Sequence, residues 1–351
     1  MKRNIVLIQF LAAVLFLCSA CTQEPLFYYI YMEIEPIKPV IGGAASRFVR
    51  DTAGNIYTAN GDLWKFDLSA KRWSQPPTPG GKIKSVATTT SKLFIINYDG
   101  SLYRDNGAGG WDSFNISGIQ QIYGSGGVLF AGNGDSVFFM SEGAAAGSGM
   151  TGLGGAGGLL LGAVESSGSH YLVTKNGLYS TPSTPGAVTL LRGGDFLGII
   201  VHNNVVTAVD GNAIYYLSSG SVVELSRGPS FTGALASWDD GVNKILLAGL
   251  IRGSGTYSYG YREFIWDGTT PPPVASFTPG DNGQYSSDPD SRYSSTIGKY
   301  AVYGLIATPP SFVYNTNGKP VVFAASTKDG VFSYRSRGGS SPQWNGENND
   351  Y

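Results

Sequence analysis

The stretch "GDLWKFDLSAKRWSQPP", residues 61–77, alternates apolar and polar residues, breaks at a tight polar turn and resumes on a tryptophan. Alternation is the period of a strand with one buried face, so the stretch reads as half of a small antiparallel sheet. Whether it is a lone hairpin or one copy of a unit decides the fold, because a period of 20–50 residues marks solenoids, propellers and arrays. Copies do exist. A short apolar strand, a turn with Gly, Asn or Asp, and an apolar strand with Tyr or Phe recur as "NIYTANGDLWKFD" (55–67), "LFIINYDGSLYRD" (93–105), "VLFAGNGDSVFFM" (128–140), "YLVTKNGLYS" (171–180), "VVTAVDGNAIYYL" (205–217) and "VVFAASTKDGVFSY" (321–334).

With Leu63, Leu102, Val137, Leu178 and Ile214 as equivalent positions, the steps run from 35 to 41 residues. The distance from Ile214 to Val331 is too long for two such steps, and a degenerate unit fills it with "KILLAGLIRG" (244–253) and "YREFIWDG" (261–268). Seven units result, the last two lengthened by insertions. An apolar strand precedes each copy, for example "IKSVATTT" or "FLGIIVHN". A fourth element with Trp or an apolar pair follows several, as at Trp73, Trp111 and Trp344. Four strands in about 40 residues is the size of a β-propeller blade. Sandwich domains do not need such a period, and a β-helix needs a shorter one. The expected fold class is therefore all-β, a propeller of seven blades of four antiparallel strands over residues 45–351, with residues 61–77 forming the outer half of blade 1.

"AGNIYTANGDLWKFDLSAKRW" resembles a kelch-type blade, with Ile56 and Tyr57 on the second strand and Phe66-Asp67 shortly before Trp73. The resemblance implies that Phe66 and Trp73 pack between neighbouring blades. The double glycine of kelch is Asn60-Gly61 here, and later units lose the tryptophan spacing, so the likeness is to bacterial kelch-like propeller lipoproteins in pattern rather than in motif.

The first twenty residues read as a targeting segment. Lys2 and Arg3 form a basic start, and Ile5 to Leu17 form an apolar run interrupted at Gln9. That run is short of the roughly 20 apolar residues a spanning helix needs. It ends at "LCSAC", with Ser19 and Ala20 directly before Cys21. This resembles a bacterial lipobox with Cys18 in place of the usual leucine, a loosening similar to that of spirochaete-type lipoproteins. The resemblance implies a signal peptide over residues 1–20, a lipidated Cys21 at the mature N-terminus and a place in the cell envelope. Thr22, rather than aspartate, after Cys21 leans toward the outer membrane. Ordinary secretion with an unmodified Cys21 is the alternative. Residues 21–44 then form an anchor and tether, in which "LFYYIYMEIEPIKP" (26–39) is either an extra outer strand for the last blade or a stalk, ended by Pro36 and Pro39.

Composition narrows the function. There are two cysteines, and Cys18 lies in the signal segment, so the mature chain has no intramolecular disulfide and no Cys-based metal cluster. The net charge of −1, made more negative by loss of Lys2 and Arg3, gives no basic excess for nucleic acid. With 14% charged residues, 50 Gly and 21 Tyr, the chain suits short strands and tight turns.

The chemical motifs are thin. The run "GAAAGSGMTGLGGAGG" (143–158) matches G-x-G-x-x-G twice, but "LLLGAV" follows where a phosphate-binding helix would have to start, so we expect a loop between blades 3 and 4 and no nucleotide. Gly80-Gly81-Lys82 reads as a turn. His170 and His202 have no metal-ligand or triad spacing and read as structural or solvated. "RDNGAGGW" (104–111) resembles an Asp-box turn. Asp239, Asp240, Asp281, Asp288 and Asp290 could offer oxygen ligands to calcium but read as solvated loop acids. The segment 253–295, rich in Tyr, Ser, Gly and Pro, has the composition of either a binding loop or a disordered insertion. The reading is a non-catalytic binding or scaffold propeller, held to the membrane by its lipid and engaging an envelope protein or a glycan, with no cofactor. The alternative is a carbohydrate-active lyase or hydrolase built from convergent residues in the central funnel.

Overall fold

The opening stretch folds as its alternation dictates. In the computed structural model, Ile56–Ala59 (β2) and Leu63–Asp67 (β3) pair antiparallel with Ala59 opposite Leu63 and Ile56 opposite Phe66. Arg72–Ser74 (β4) extends the sheet with Trp73 opposite Phe66. The β2–β3 turn is closed by Gly61 at φ +96 and by the Trp64 indole N–H, which donates to Asn60 Oδ1 at 2.9 Å. At the β3–β4 turn, Asp67 Oδ1 accepts from the Ser69 hydroxyl at 2.6 Å and from the Ser69 and Ala70 amides. Those bonds, the Ser69 hydroxyl foremost, hold the Asp67 carboxyl well below the usual carboxylate range. Each stabilises the anion in a tight loop.

The structure describes residues 39–43, 45, 47–228, 230–239, 243–251, 260–269, 278–280, 301–312, 321–326, 330–335 and 343–347. They lie in one compact unit, Pro39–Tyr351. Val49–Arg50 (β1) completes the first sheet, in the order β1-β2-β3-β4. Six more sheets repeat that order. Blade 2 is Ile83–Thr88 (β5), Leu93–Asn97 (β6), Leu102–Asp105 (β7) and Trp111–Phe114 (β8). Blade 3 is Gln121–Ser125 (β9), Val128–Gly132 (β10), Ser136–Ser141 (β11) and Thr151–Gly157 (β12). Blade 4 is Leu160–Ser166 (β13), Ser169–Thr174 (β14), Gly177–Pro182 (β15) and Thr189–Gly193 (β16). Blade 5 is Phe196–His202 (β17), Val205–Asp210 (β18), Ala213–Ser218 (β19) and Ser221–Arg227 (β20). Blade 6 is Phe231–Asp239 (β21), Lys244–Leu250 (β22), Gly260–Ile265 (β23) and Thr278–Gly280 (β24). Blade 7 is Val302–Ala307 (β25), Val322–Ser326 (β26), Gly330–Arg335 (β27) and Gln343–Gly346 (β28). The protein is an all-β propeller of seven four-stranded antiparallel blades, as the 40-residue period requires.

The core lies between blades. Ile56, Phe66 and Trp73 of blade 1 pack against Val321, Phe323, Ala325 and Val331 of blade 7, which closes the ring. The ring centroids of Phe66 and Phe323 are 4.9 Å apart, and those of Trp73 and Phe323 are 5.3 Å apart. Burying each such ring contributes roughly 1.5–3 kcal/mol. The chain entering blade 1 adds two backbone stitches: the Val40 amide donates to the Glu347 carbonyl at 2.6 Å, and the Val331 amide donates to the Ile41 carbonyl at 3.1 Å.

Polar ties join other blades. Arg104 of β7 donates to Asp112 at 2.6 Å and to the carbonyls of Glu142 and Ala144 at 2.8 and 2.6 Å, so one guanidinium fastens the edge of blade 2 to the β11–β12 connection of blade 3. We expect Arg104→Met to lower stability by about 3 kcal/mol, because it leaves a half-buried carboxylate and two carbonyls without their donor. Urea unfolding of the variant against the parent checks this.

The glycine-rich run corrects one expectation. Residues 151–157 are β12, the outer strand of blade 3, not part of a loop between blades. Leu153 lies opposite Val137 and Gly152 opposite Phe138, and Leu153 and Ala156 are buried. A register shift at Ser136/Val137 lets a strand with apolar residues three apart bury both. The turn expected at Gly80-Gly81-Lys82 is seen, with both glycines at positive φ. The Asp-box-like segment is also a turn, held by Asp105 and Asn106 side chains on the amides of Gly107, Ala108 and Gly110. The signal segment, Cys21, the stretch 26–38, most of 253–295, and Asp240, Asp281, Asp288 and Asp290 lie outside the described residues.

Candidate functional site

The first strand of every blade lies at one end of its sheet's order, and these seven edges surround an axial channel of about 490 Å³. Its wall is thin because glycine occupies the closest approaches. A β-carbon on Gly198 would sit 2.0 Å from the Gly233 carbonyl oxygen, and one on Gly124 would sit 1.7 Å from the Thr88 carbonyl oxygen. Only glycine allows neighbouring inner strands to touch in this way.

A second recurrent device shapes the wall. The inner strands of blades 4, 5 and 7 shift register between Leu160 and Gly162, Phe196 and Gly198, and Val302 and Gly304. The residues skipped, Leu161, Leu197 and Tyr303, all line the channel. A bulge re-aims a side chain in just this manner, so the sequence places chosen residues on the channel without disturbing the blade cores.

Blade 1 brings the charge. Arg47 and Arg50 line the channel, and among the described residues no Asp, Glu, Lys or His shares that lining. The Arg47 guanidinium carbon lies 3.3 Å from the centroid of the Tyr123 ring of β9, and its Nη2 donates to Ser85 Oγ and the Val86 carbonyl. Burial lowers the pKa of Arg47 and raises that of Tyr123. Neither shift alters the charge at neutral pH, since a guanidinium stays protonated and a phenol stays neutral. Arg50 Nη1 donates to the Ala307 carbonyl of β25 at 3.3 Å, and burial lowers its pKa too. Arg50 shares its level with Thr88, Val201 and Ala307, at the carboxyl ends of their inner strands.

The histidines stay outside this lining and tie blades together. His170 Nδ1 lies 2.8 Å from Ser125 Oγ, and its Nε2 lies 3.2 Å from the Ser183 carbonyl. His202 repeats the arrangement between blades 5 and 6, with Nδ1 at 2.9 Å from Ser237 Oγ and Nε2 at 2.7 Å from the Trp266 carbonyl. A carbonyl only accepts, so Nε2 carries a proton in each ring, and Nδ1 shares a hydrogen bond with the serine hydroxyl. Both rings are buried, which selects the structural over the solvated of the two readings given for them.

Burial lowers the His202 pKa below its ordinary 6.5. The unfolded chain therefore takes up this proton first as pH falls. Stability is fully present above pH 6.5 and declines below it, by at most about 1.4 kcal/mol per pH unit, until the folded state also protonates. Melting temperatures at pH 7.5 and 5.5 should show a larger acid loss for the parent than for His202→Gln.

Among the described residues no group of three or more His, Cys, Asp or Glu could hold a metal ion. Asp239 pairs with Lys244 at the base of the β21–β22 hairpin. Sequence reasoning missed Arg47, Arg50 and Tyr123. The available signal was "SRFVRD" (46–51), which puts two arginines beside an inner strand where other blades carry glycine and aliphatic residues.

Solved structures share the architecture. An ancestral GH74 enzyme matches 90% of this chain and 47% of its own, at 17% identity and a TM-score of 0.60. The extracellular domain of a hybrid two-component system from B. thetaiotaomicron matches 86% of this chain and 40% of its own, at 14% identity and a TM-score of 0.57. Virginiamycin B lyase from Staphylococcus aureus matches 82% of this chain and 94% of its own, at 10% identity and a TM-score of 0.56. The chain spans less than half the length of the first two, and at these identities the likeness is one of fold. Comparison with curated proteins finds no match. Residues 1–237, two thirds of the chain, match the model of the TP013X lipoprotein family, and the chain belongs to that family.

Proposed function

We propose that this protein is a lipid-anchored component of the bacterial cell envelope, held at the outer membrane through Cys21, whose propeller is a non-catalytic module that binds an envelope protein or a glycan. The signal peptide is residues 1–20, the tether 21–44 and the propeller 45–351. Membership of a lipoprotein family supports the anchor. The observation that carries the binding reading is the channel itself. Its lining joins glycine and aliphatic residues to two fixed arginines, while His170 and His202 are committed to hydrogen bonds between blades. Ordered polar groups on a rigid ring suit recognition, with specificity set by positions that vary independently of the blade cores.

A carbohydrate-active enzyme is the second reading, favoured by the shared fold of the GH74 enzyme. Glycoside hydrolysis works with a pair of carboxylates flanking the scissile bond. The channel lining offers arginines in that place. Phe66 and Trp73 pack together at 5.4 Å against blade 7, which supports a kelch-like reading of blade 1.

Crosslinking on intact cells, followed by affinity capture and mass spectrometry, tests the proposal alongside incubation of the purified protein with envelope polysaccharides. A reproducible envelope partner or bound glycan and no new reducing ends or unsaturated products are expected. Product formation, or capture of neither partner nor glycan, overturns it.

A further inference from the structure

We propose that the axial channel binds a small hydrophilic anion, a carboxylate or phosphate compound, against Arg47 and Arg50. This deepens the binding-module reading and rests on it.

Size comes first. A cavity of about 490 Å³ falls within the range of small-molecule sites and holds a molecule the size of a monosaccharide. Charge comes second. Among the described residues the lining carries two guanidinium groups and no carboxylate, so these residues make the channel positive inside a protein whose net charge is −1. Low-dielectric walls focus such a field and concentrate counter-ions within it. Desolvation lowers the Arg50 pKa, and an anion docked beside its guanidinium favours the charged form.

The donors are arranged for this work. Among the described residues the Arg50 side chain has one acceptor, the Ala307 carbonyl, and a guanidinium has five N–H donors. Its remaining donors can meet two oxygens of one planar group, the geometry in which arginine exceeds lysine. Arg47 is fixed against the face of Tyr123 and by bonds to Ser85 and Val86, so little side-chain entropy is lost when a ligand docks.

The backbone decides that the ligand is polar. Each inner strand ends its sheet, so the described strands turn an edge without a ladder partner to the channel, where side chains bond only some of the carbonyls, such as those of Val86 and Ala307. A free edge offers amide and carbonyl groups that hydroxyls can bond and that a hydrocarbon body would leave unsatisfied. Anion at the arginines and hydroxyls along the strand edges is the pattern of a sugar acid or a sugar phosphate.

Isothermal titration of the full-length protein in detergent with sodium glucuronate and, separately, inorganic phosphate tests this. At least one probe should bind the parent, and raising the salt should weaken it. Arg50→Gln should reduce affinity at least about tenfold, and Arg50→Lys should retain part of it. Thermal melts establish that the variants are folded, and Arg50 is chosen because it lies at a strand end with a single tie. Preference for glucuronate assigns a carboxylate, and preference for phosphate assigns a phosphoryl group. Binding of neither probe to the parent, or undiminished binding by Arg50→Gln, overturns the proposal. If partner capture from crosslinked cells persists in that event, only the anion site falls. Loss of capture as well removes the binding-module reading beneath it.

Discussion

Gly198→Val should yield a chain that does not reach the native ring, and Gly198→Ala one destabilised by at least about 3 kcal/mol. The cause is backbone against backbone. The added β-carbon would lie 2.0 Å from the Gly233 carbonyl oxygen and 2.9 Å from its carbon, on the inner strand of the next blade. A flexible side chain could swing aside, but a strand in a four-stranded sheet cannot move alone. Overpacking a core with a methyl group costs about 1–3 kcal/mol, and here the obstacle is rigid main chain. Relief would require blades 5 and 6 to part, and with them the apolar cluster of Phe231, Leu246 and Trp266 that fills their seam. Gly211→Ala is the control, since a β-carbon there meets nothing within 4 Å. It should change stability by less than about 0.5 kcal/mol. Thermal unfolding of the three proteins decides the matter: a Gly198→Ala melt equal to the parent's would mean that the inner strands stand further apart than described.

How far the sequence discloses this structure depends on which strand is considered. The second strands are almost wholly buried between neighbouring blades, the third strands alternate or are buried, and the two turn on Gly, Asn or Asp, so their apolar runs and turn residues recur visibly. Outer strands answer to partners rather than to their own propensity. β12 reads as a loop because its glycines lack strand preference, yet ladder bonds to β11 and the burial of Leu153 and Ala156 set it in the sheet. β1, Val49–Arg50, is two residues long, too short for any period, and so Arg50 within it and Arg47 just before it pass unnoticed. Their significance exists only once seven inner strands are brought around one axis. His170 and His202 show the reverse case. Their sequence neighbourhoods suggest no chemistry, and the fold places each in a serine–imidazole–carbonyl chain between blades. That geometry resembles a nucleophile and base on paper. Its burial and its repetition at two blade seams give it a structural meaning.

Cys21→Ser should move the protein from almost wholly membrane-bound to almost wholly soluble. No described helix is long and apolar enough to cross a membrane, and the apolar run from Ile5 to Leu17 would leave with the signal peptide. On the proposed anchor, attachment depends on what Cys21 carries. A single acyl chain holds a protein only marginally, whereas several chains, at about 0.8 kcal/mol for each buried methylene, hold it firmly. Removing the one thiol that receives them should therefore abolish retention rather than weaken it. Cys18→Ser is the matched control, because the proposed cleavage before Cys21 discards Cys18, and it should leave partitioning unchanged. Detergent phase partitioning and intact mass of the mature protein report both the location and the modification. An N-terminal peptide beginning at unmodified Cys21 would establish ordinary secretion instead, and the membrane partner would then have to be sought on the propeller surface. With Cys21 acylated, the ring is confined near the bilayer, where a channel selective for anions meets the charged glycans and phosphorylated components of the envelope at high local concentration.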